Sequence, residues 1–215
     1  MFSITSMRKS YTLEYIDPES DEFKSVIGAS RIPYDPTAIT PIMLEKIVNP
    51  SLEARFKAHE AMVKTKRKMG SEATLYPMYH GTSESGLNNI LENGFDVTFN
   101  KTAAYGVGTY SATNYIDAIR YARLDTTGYQ FLLVCKVVKG VSKYGTPNEI
   151  LDKTNYDSFT NDATYISCPY NDGIIPIYVI RYYNKIPIDQ VGMPGMTYKE
   201  KYTRESYTKT IYKFR

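Results

Sequence analysis

The chain has no tryptophan, and only two cysteines and two histidines among its 215 residues. Cys135 and Cys168 each lie in an apolar run. Two such residues cannot form a disulfide framework, and they read as buried free thiols of a reducing compartment. His59 and His80 are too few for most histidine-based metal sites, and no C-x-x-C occurs, so no metal is expected. A run of about 18 apolar residues is also missing, which argues against a membrane span. The opening residues, MFSITSMRKS, hold no apolar stretch long enough for a signal peptide. Neither sign of charge dominates. The 26 basic and 23 acidic residues leave +3, too mild to argue by itself for nucleic acid or an anionic membrane. These absences predict a soluble intracellular protein, cytoplasmic or nuclear, with no membrane partner.

What is present is a globular composition. Hydrophobic residues make up 42% of the chain, enough to fill the core of one domain. Tyrosine is abundant, with 21 copies, so stacking and phenolic hydrogen bonds are the main aromatic resources. Tyr11 to Ile16 reads as a strand, and the spacing of Phe23, Val26 and Ile27 as a short helix. An extended stretch ends at Val48. Leu52, Phe56, His59 and Val63 then recur at helical intervals, with Ser51 the expected N-cap. Lys64, Lys66, Arg67 and Lys68 close that helix as a solvated cationic end, and His59 sits at the edge of the core with no assigned role. Thr74 to Tyr79 is extended and leads to a turn at His80-Gly81-Thr82. A helix from Glu84 to Glu92 stops at Gly94, and a loop spans Phe95 to Gly108. A helix is expected from Asn114 to Leu124, and strands from Phe131 to Val138 and from Pro176 to Tyr183. Short strands with scattered helices and no regular βαβ alternation indicate an α+β domain over residues 1–183. From Asn184 the chain becomes a basic, tyrosine-rich extension, 184–215.

Three motifs carry the chemistry: Tyr79-His80-Gly81-Thr82, Asn93-Gly94-Phe95-Asp96, and Tyr105-Gly106-Val107-Gly108-Thr109-Tyr110. Each is weak alone, and the G-x-G precedes no Rossmann-type strand and helix. Their order and spacing together resemble the NAD-binding signature of the poly(ADP-ribose) polymerase family. The likeness extends over residues 10 to 183, including Asn49-Pro50-Ser51-Leu52, Phe131 to Gly140 and the closing strand Ile174 to Tyr182. It implies the family's ADP-ribosyltransferase fold, related to that of diphtheria toxin, with split antiparallel sheets and flanking helices. It also implies NAD as co-substrate and a protein acceptor. His80 would hold the adenine-side ribose with help from Thr82, and the loop from Phe95 to Tyr105 would lie over the pyrophosphate. The peptide of Gly81 would bind the nicotinamide carboxamide, a glycine letting the ligand approach closely. Tyr110 and Tyr121 would sandwich the nicotinamide ring, each stack contributing on the order of 1 kcal/mol.

Two positions depart from the chain-building members that this family contains. Ala118 stands where those members have a serine bonded to the carboxamide, a loss of roughly 0.5–1.5 kcal/mol. Their glutamate at the third signature position corresponds to Tyr165 or a residue within two of it, by counting back from Ile174-Ile175-Pro176. A phenol with an ordinary pKa near 10 is a poor base at neutral pH. The catalytic set becomes His80, Tyr110 and Tyr165, which resembles the mono-ADP-ribosylating branch, where an acidic acceptor can serve as its own nucleophile. Asp162, three residues before Tyr165, would face the other side of a strand. Two further readings stay open: a silent ADP-ribose-binding or partner-binding module, and transfer to nucleic acid. The second has only the basic, aromatic tail behind it, and a final strand from Tyr207 to Phe214 packing on the domain is the favoured reading of that tail.

Overall fold

The computed structural model describes residues 9–32, 42–100, 103–125, 128–161 and 164–183. The extension 184–215, its expected strand from Tyr207 to Phe214, and Asp162 lie outside these residues. The described chain forms strands β1 (Thr12–Tyr15), β2 (Ile42–Val48), β3 (Thr74–Thr82), β4 (Thr109–Ala112) and β5 (Tyr129–Val138). They are followed by β6 (Ser142–Tyr144), β7 (Ser158–Thr160), β8 (Tyr165–Cys168) and β9 (Ile174–Tyr183). Four helices accompany them: α1 (Asp21–Ser30), α2 (Pro50–Arg67), α3 (Glu84–Asn93) and α4 (Tyr115–Ile119).

The strands lie in the order β1-β2-β9-β5-β3-β4-β8-β7-β6. Pairing is antiparallel throughout except between β6 and β7. β5 lies inside the sheet between β9 and β3, and its apolar run follows from burial on both faces; only Lys136 within it is exposed. Successive β3 residues serve opposite layers. Met78 joins Leu133, Cys135, Val179 and the α3 residues Leu87, Ile90 and Leu91. Tyr79 joins Leu132, Val134, Ile180, the α1 residues Phe23, Val26 and Ile27, and Ala118 of α4. The helix α2 seats Leu52, Phe56 and Val63 on Val138 and Ile175. Each such side chain contributes about 1.5–3 kcal/mol when fully buried.

One seam interrupts this sheet. β3 pairs with β5 along its length, from Thr74 to Thr82, yet meets β4 only at Tyr79–Ala112. The next pairs in that antiparallel register would join His80 to Ser111 and Gly81 to Tyr110, and the ladder includes neither. The sheet therefore opens beyond Tyr79. The resemblance implied split sheets, whereas the described strands form one nine-stranded sheet that is only thinly joined at β3–β4.

Several local expectations need correction. Ser51 lies inside α2, and the cap is Asn49, whose side chain accepts from the Leu52 N–H at 3.2 Å. Pro50 takes the first helical position, where its missing N–H costs nothing. The cations at the other end are not simply solvated. Arg67 donates to both oxygens of Asp157 at 2.8 and 3.2 Å, and the Asp157 side chain is 3% exposed. This pair fastens the end of α2 to the β6–β7 edge. The helix expected from Asn114 to Leu124 is shorter: α4 ends at Ile119, and Tyr121 and Ala122 donate to Ala118 and Ile119 in tighter three-residue turns at 3.0 Å each. The Phe95 to Gly108 loop holds one 3-10 turn, Val97–Phe99.

Candidate active site

His80-Gly81-Thr82 is not a turn. It is the end of β3, paired with Leu133, Leu132 and Phe131 of β5. The His80 ring crosses the open seam, with Nδ1 2.8 Å from the Tyr110 carbonyl of β4. A carbonyl only accepts, so Nδ1 carries the proton and Nε2 is left as an acceptor. Burial holds the His80 pKa below the ordinary histidine value, against the Tyr110 bond that raises it. Phe95 braces the ring edge-on, with centroids 5.0 Å apart.

Gly81 is required by its packing. A Cβ there would lie 2.0 Å from the Ala118 carbonyl oxygen and 2.8 Å from the Ala122 nitrogen. The reason drawn from the sequence, close approach of a ligand, is therefore incomplete: the missing side chain admits α4. That contact brings the segment carrying Tyr121 onto the strand end. Gln130 completes the arrangement by donating from Nε2 to the Ala122 carbonyl at 2.7 Å. No motif marked Gln130, because its contact depends on how the chain folds back from Ala122 to β5.

Tyr110 is held by its own turn. Its hydroxyl accepts from the Tyr105 N–H at 2.7 Å and donates to the Gly106 carbonyl at 2.8 Å. Both hydrogen-bonding roles are thus engaged, and the ring is what it offers to a ligand. Burial raises its pKa. Gly106 has φ of 85°, and a Cβ there would meet the Phe159 ring at 2.3 Å, which explains a glycine at this turn. Tyr121 is 68% exposed, and its phenol is close enough to raise the pKa of Tyr110 and Tyr165.

Tyr165 begins β8, paired with Ala112, and its ring is nearly parallel to that of Tyr105, with centroids 6.2 Å apart and planes inclined by 18°. Burial, then the charge of Asp117, raises its pKa. The structure thus groups Gly81, Tyr110, Tyr121 and Tyr165 around the seam, with His80 bridging it. Thr82 and Ala118 are buried, as is Gly81, whereas Tyr110, Tyr121 and Tyr165 are not. The Thr82 hydroxyl is packed against Gly86 in α3, and Ala118 presents its backbone to Gly81. The two thiols are buried and free, and burial pushes Cys168 up to about 12. Among the described residues, no helix is long and apolar enough to cross a membrane, and no group of three or more His, Cys, Asp or Glu could hold a metal ion.

An α+β sheet that opens beyond Tyr79, with His80 across the opening and Gly81 at the strand end, is in keeping with the ADP-ribosyltransferase class of architecture that the resemblance implied. The comparison with known families agrees. The model of the poly(ADP-ribose) polymerase catalytic domain matches residues 20–169. The chain belongs to this family. It is similar to the mouse (Mus musculus) protein mono-ADP-ribosyltransferase PARP10, at 29% identity over 135 residues, covering 60% of this chain and 14% of that protein. The chain therefore corresponds to a small part of that relative's length.

Proposed function

We propose that the protein cleaves the nicotinamide–ribose bond of NAD and transfers single ADP-ribose units to protein acceptors. The open seam between β3 and β4 carries this reading, with His80 across it and Gly81 at its lip. NAD would place its carboxamide on the Gly81 peptide and its nicotinamide ring between Tyr110 and Tyr121. A ribose hydroxyl would donate to His80 Nε2. The departing nicotinamide is neutral and needs little acid catalysis, while the ribose develops oxocarbenium character. The protein's task is then orientation, together with exposure of one face of the ribose to the acceptor. Tyr165 is proposed at the place where chain-building members carry a glutamate. A phenol whose pKa is raised further serves poorly as the base that activates a growing chain. The reading needs no metal.

Incubating the full chain with labelled NAD tests this. The expected product is a single labelled ADP-ribose on the protein or on a lysate partner, with no ladder of longer products. His80→Ala should lower transfer about tenfold or more. Tight NAD binding with no covalent label anywhere would replace the enzyme with a binding module.

A further inference from the structure

Tyr121 is 68% exposed, and among the described residues its side chain has no hydrogen bond or ring contact. The direction of its ring is therefore set by the backbone that carries it. That backbone is no longer α-helical, because α4 ends at Ile119. Two tight turns shape it locally: the Tyr121 N–H donates to the Ala118 carbonyl and the Ala122 N–H to the Ile119 carbonyl, each at 3.0 Å. Turns of this kind have poorer hydrogen-bond geometry than an α-helix and hold little alone. The long-range tie comes from Gln130, whose Nε2 donates to the Ala122 carbonyl at 2.7 Å. A carbonyl only accepts, so the nitrogen of the side-chain amide must face it. Phe131 pairs with Thr82, the last residue of β3, which puts Gln130 of β5 just past the end of that strand. The chain returns to it through a turn in which the Asp125 N–H donates to the Tyr129 carbonyl at 2.8 Å. Gly81 meets the same segment, with no room for a Cβ against Ala118 and Ala122. β3 thus supports the stretch that bears Tyr121, and β5 ties it down.

Resting on the NAD reading above, we propose that Gln130 is a positioning residue: it holds the Tyr121 ring as one wall of the nicotinamide site without itself touching NAD. A stacked ring gains its energy only at a defined separation and tilt, and its supporting contacts must keep it within about 0.5 Å of that place. Such a stack holds the bound and the reacting nicotinamide alike. Loosening it raises KM and spares kcat. Gln130 Oε1 has no hydrogen-bond partner among the described residues. Among them, a change of this side chain therefore removes one hydrogen bond, the one to Ala122.

The test is a double-mutant cycle on the full chain, read as KM and kcat for NAD consumption. Tyr121→Ala is expected to raise KM about fivefold, the loss of one stack. Gln130→Met keeps the length and loses the donor, and should raise KM by up to about the same factor with kcat within about twofold. In the Tyr121→Ala background the same exchange should add nothing further. Gln130→Lys, which returns a donor to this position, should keep the wild-type KM. An unchanged KM in Gln130→Met, an equal effect of that exchange in both backgrounds, or a fall in kcat in place of a rise in KM would each overturn the assignment. A raised KM in Gln130→Lys would overturn it too, and that variant decides the matter should Gln130→Met fail to fold. An unchanged KM in Tyr121→Ala, or no NAD consumption by the wild type, would overturn the NAD reading itself and this assignment with it; those two measurements tell the failures apart.

Discussion

A hydrogen atom at Gly81 is all that separates β3 from the backbone of α4. The sequence singled out this residue, through the histidine before it and the motifs after it, for a ligand's approach and not for the packing of a helix. The backbone of α4 presses on the same residue, and only the folded chain shows it. Replacing Gly81 with alanine puts a methyl group 2.0 Å from the Ala118 oxygen, so α4 must shift. Such overpacking costs roughly 1–3 kcal/mol. Gly81→Ala should therefore lower Tm by several degrees and weaken NAD binding, because Tyr121 moves with α4. Calorimetry and an NAD titration check both parts, and an unchanged Tm would remove the helix from the explanation.

Among the elements, the legible ones were those with long apolar patterns. β5 and β9 run ten residues each, and both faces of β5 and of β9 from Ile174 to Ile180 are largely buried, so their sequences announce them. β4, β6, β7 and β8 have only three or four residues each. Their pairing depends on partners far along the chain, and no local period reveals it. Helix ends were readable in part. Ser20 and Ser83 cap α1 and α3 by ordinary rules, whereas at α2 the proline displaced the cap from Ser51 to Asn49. Asn49 also donates to the Leu91 carbonyl at 2.9 Å and to Ser10 Oγ at 3.1 Å, tying three segments together. Asn49→Ala is expected to cost about 2–3 kcal/mol, a lost cap plus a buried carbonyl left without its donor. Ser51→Ala should stay within about 0.5 kcal/mol. Urea unfolding of the two variants tests the assignment, and equal losses would contradict it.

For the molecule as a whole, both histidines are buried in ways that disfavour their charged forms. Burial lowers the pKa of His59, whose Nε2 is buried with no hydrogen-bond partner among the described residues, and likewise that of His80. The unfolded chain takes up these protons near pH 6.5 and the native fold takes them up only at lower pH. Their contribution to stability is thus complete above about 6.5 and is lost as the pH falls toward the native values. Denaturant unfolding between about pH 7.5 and 5 should show this decline, above the range where carboxylates titrate. His59→Phe, which keeps a ring against Tyr170, should make the decline shallower; a flat wild-type profile would count against both assignments. The seam between β3 and β4 bears on the whole sheet in another way. A primary amide carries the same donor and acceptor as a peptide group, so a carboxamide lodged at Gly81 would stand in for the absent rung. The guest would finish the host's own ladder, and filling the site and stiffening the sheet would be one event.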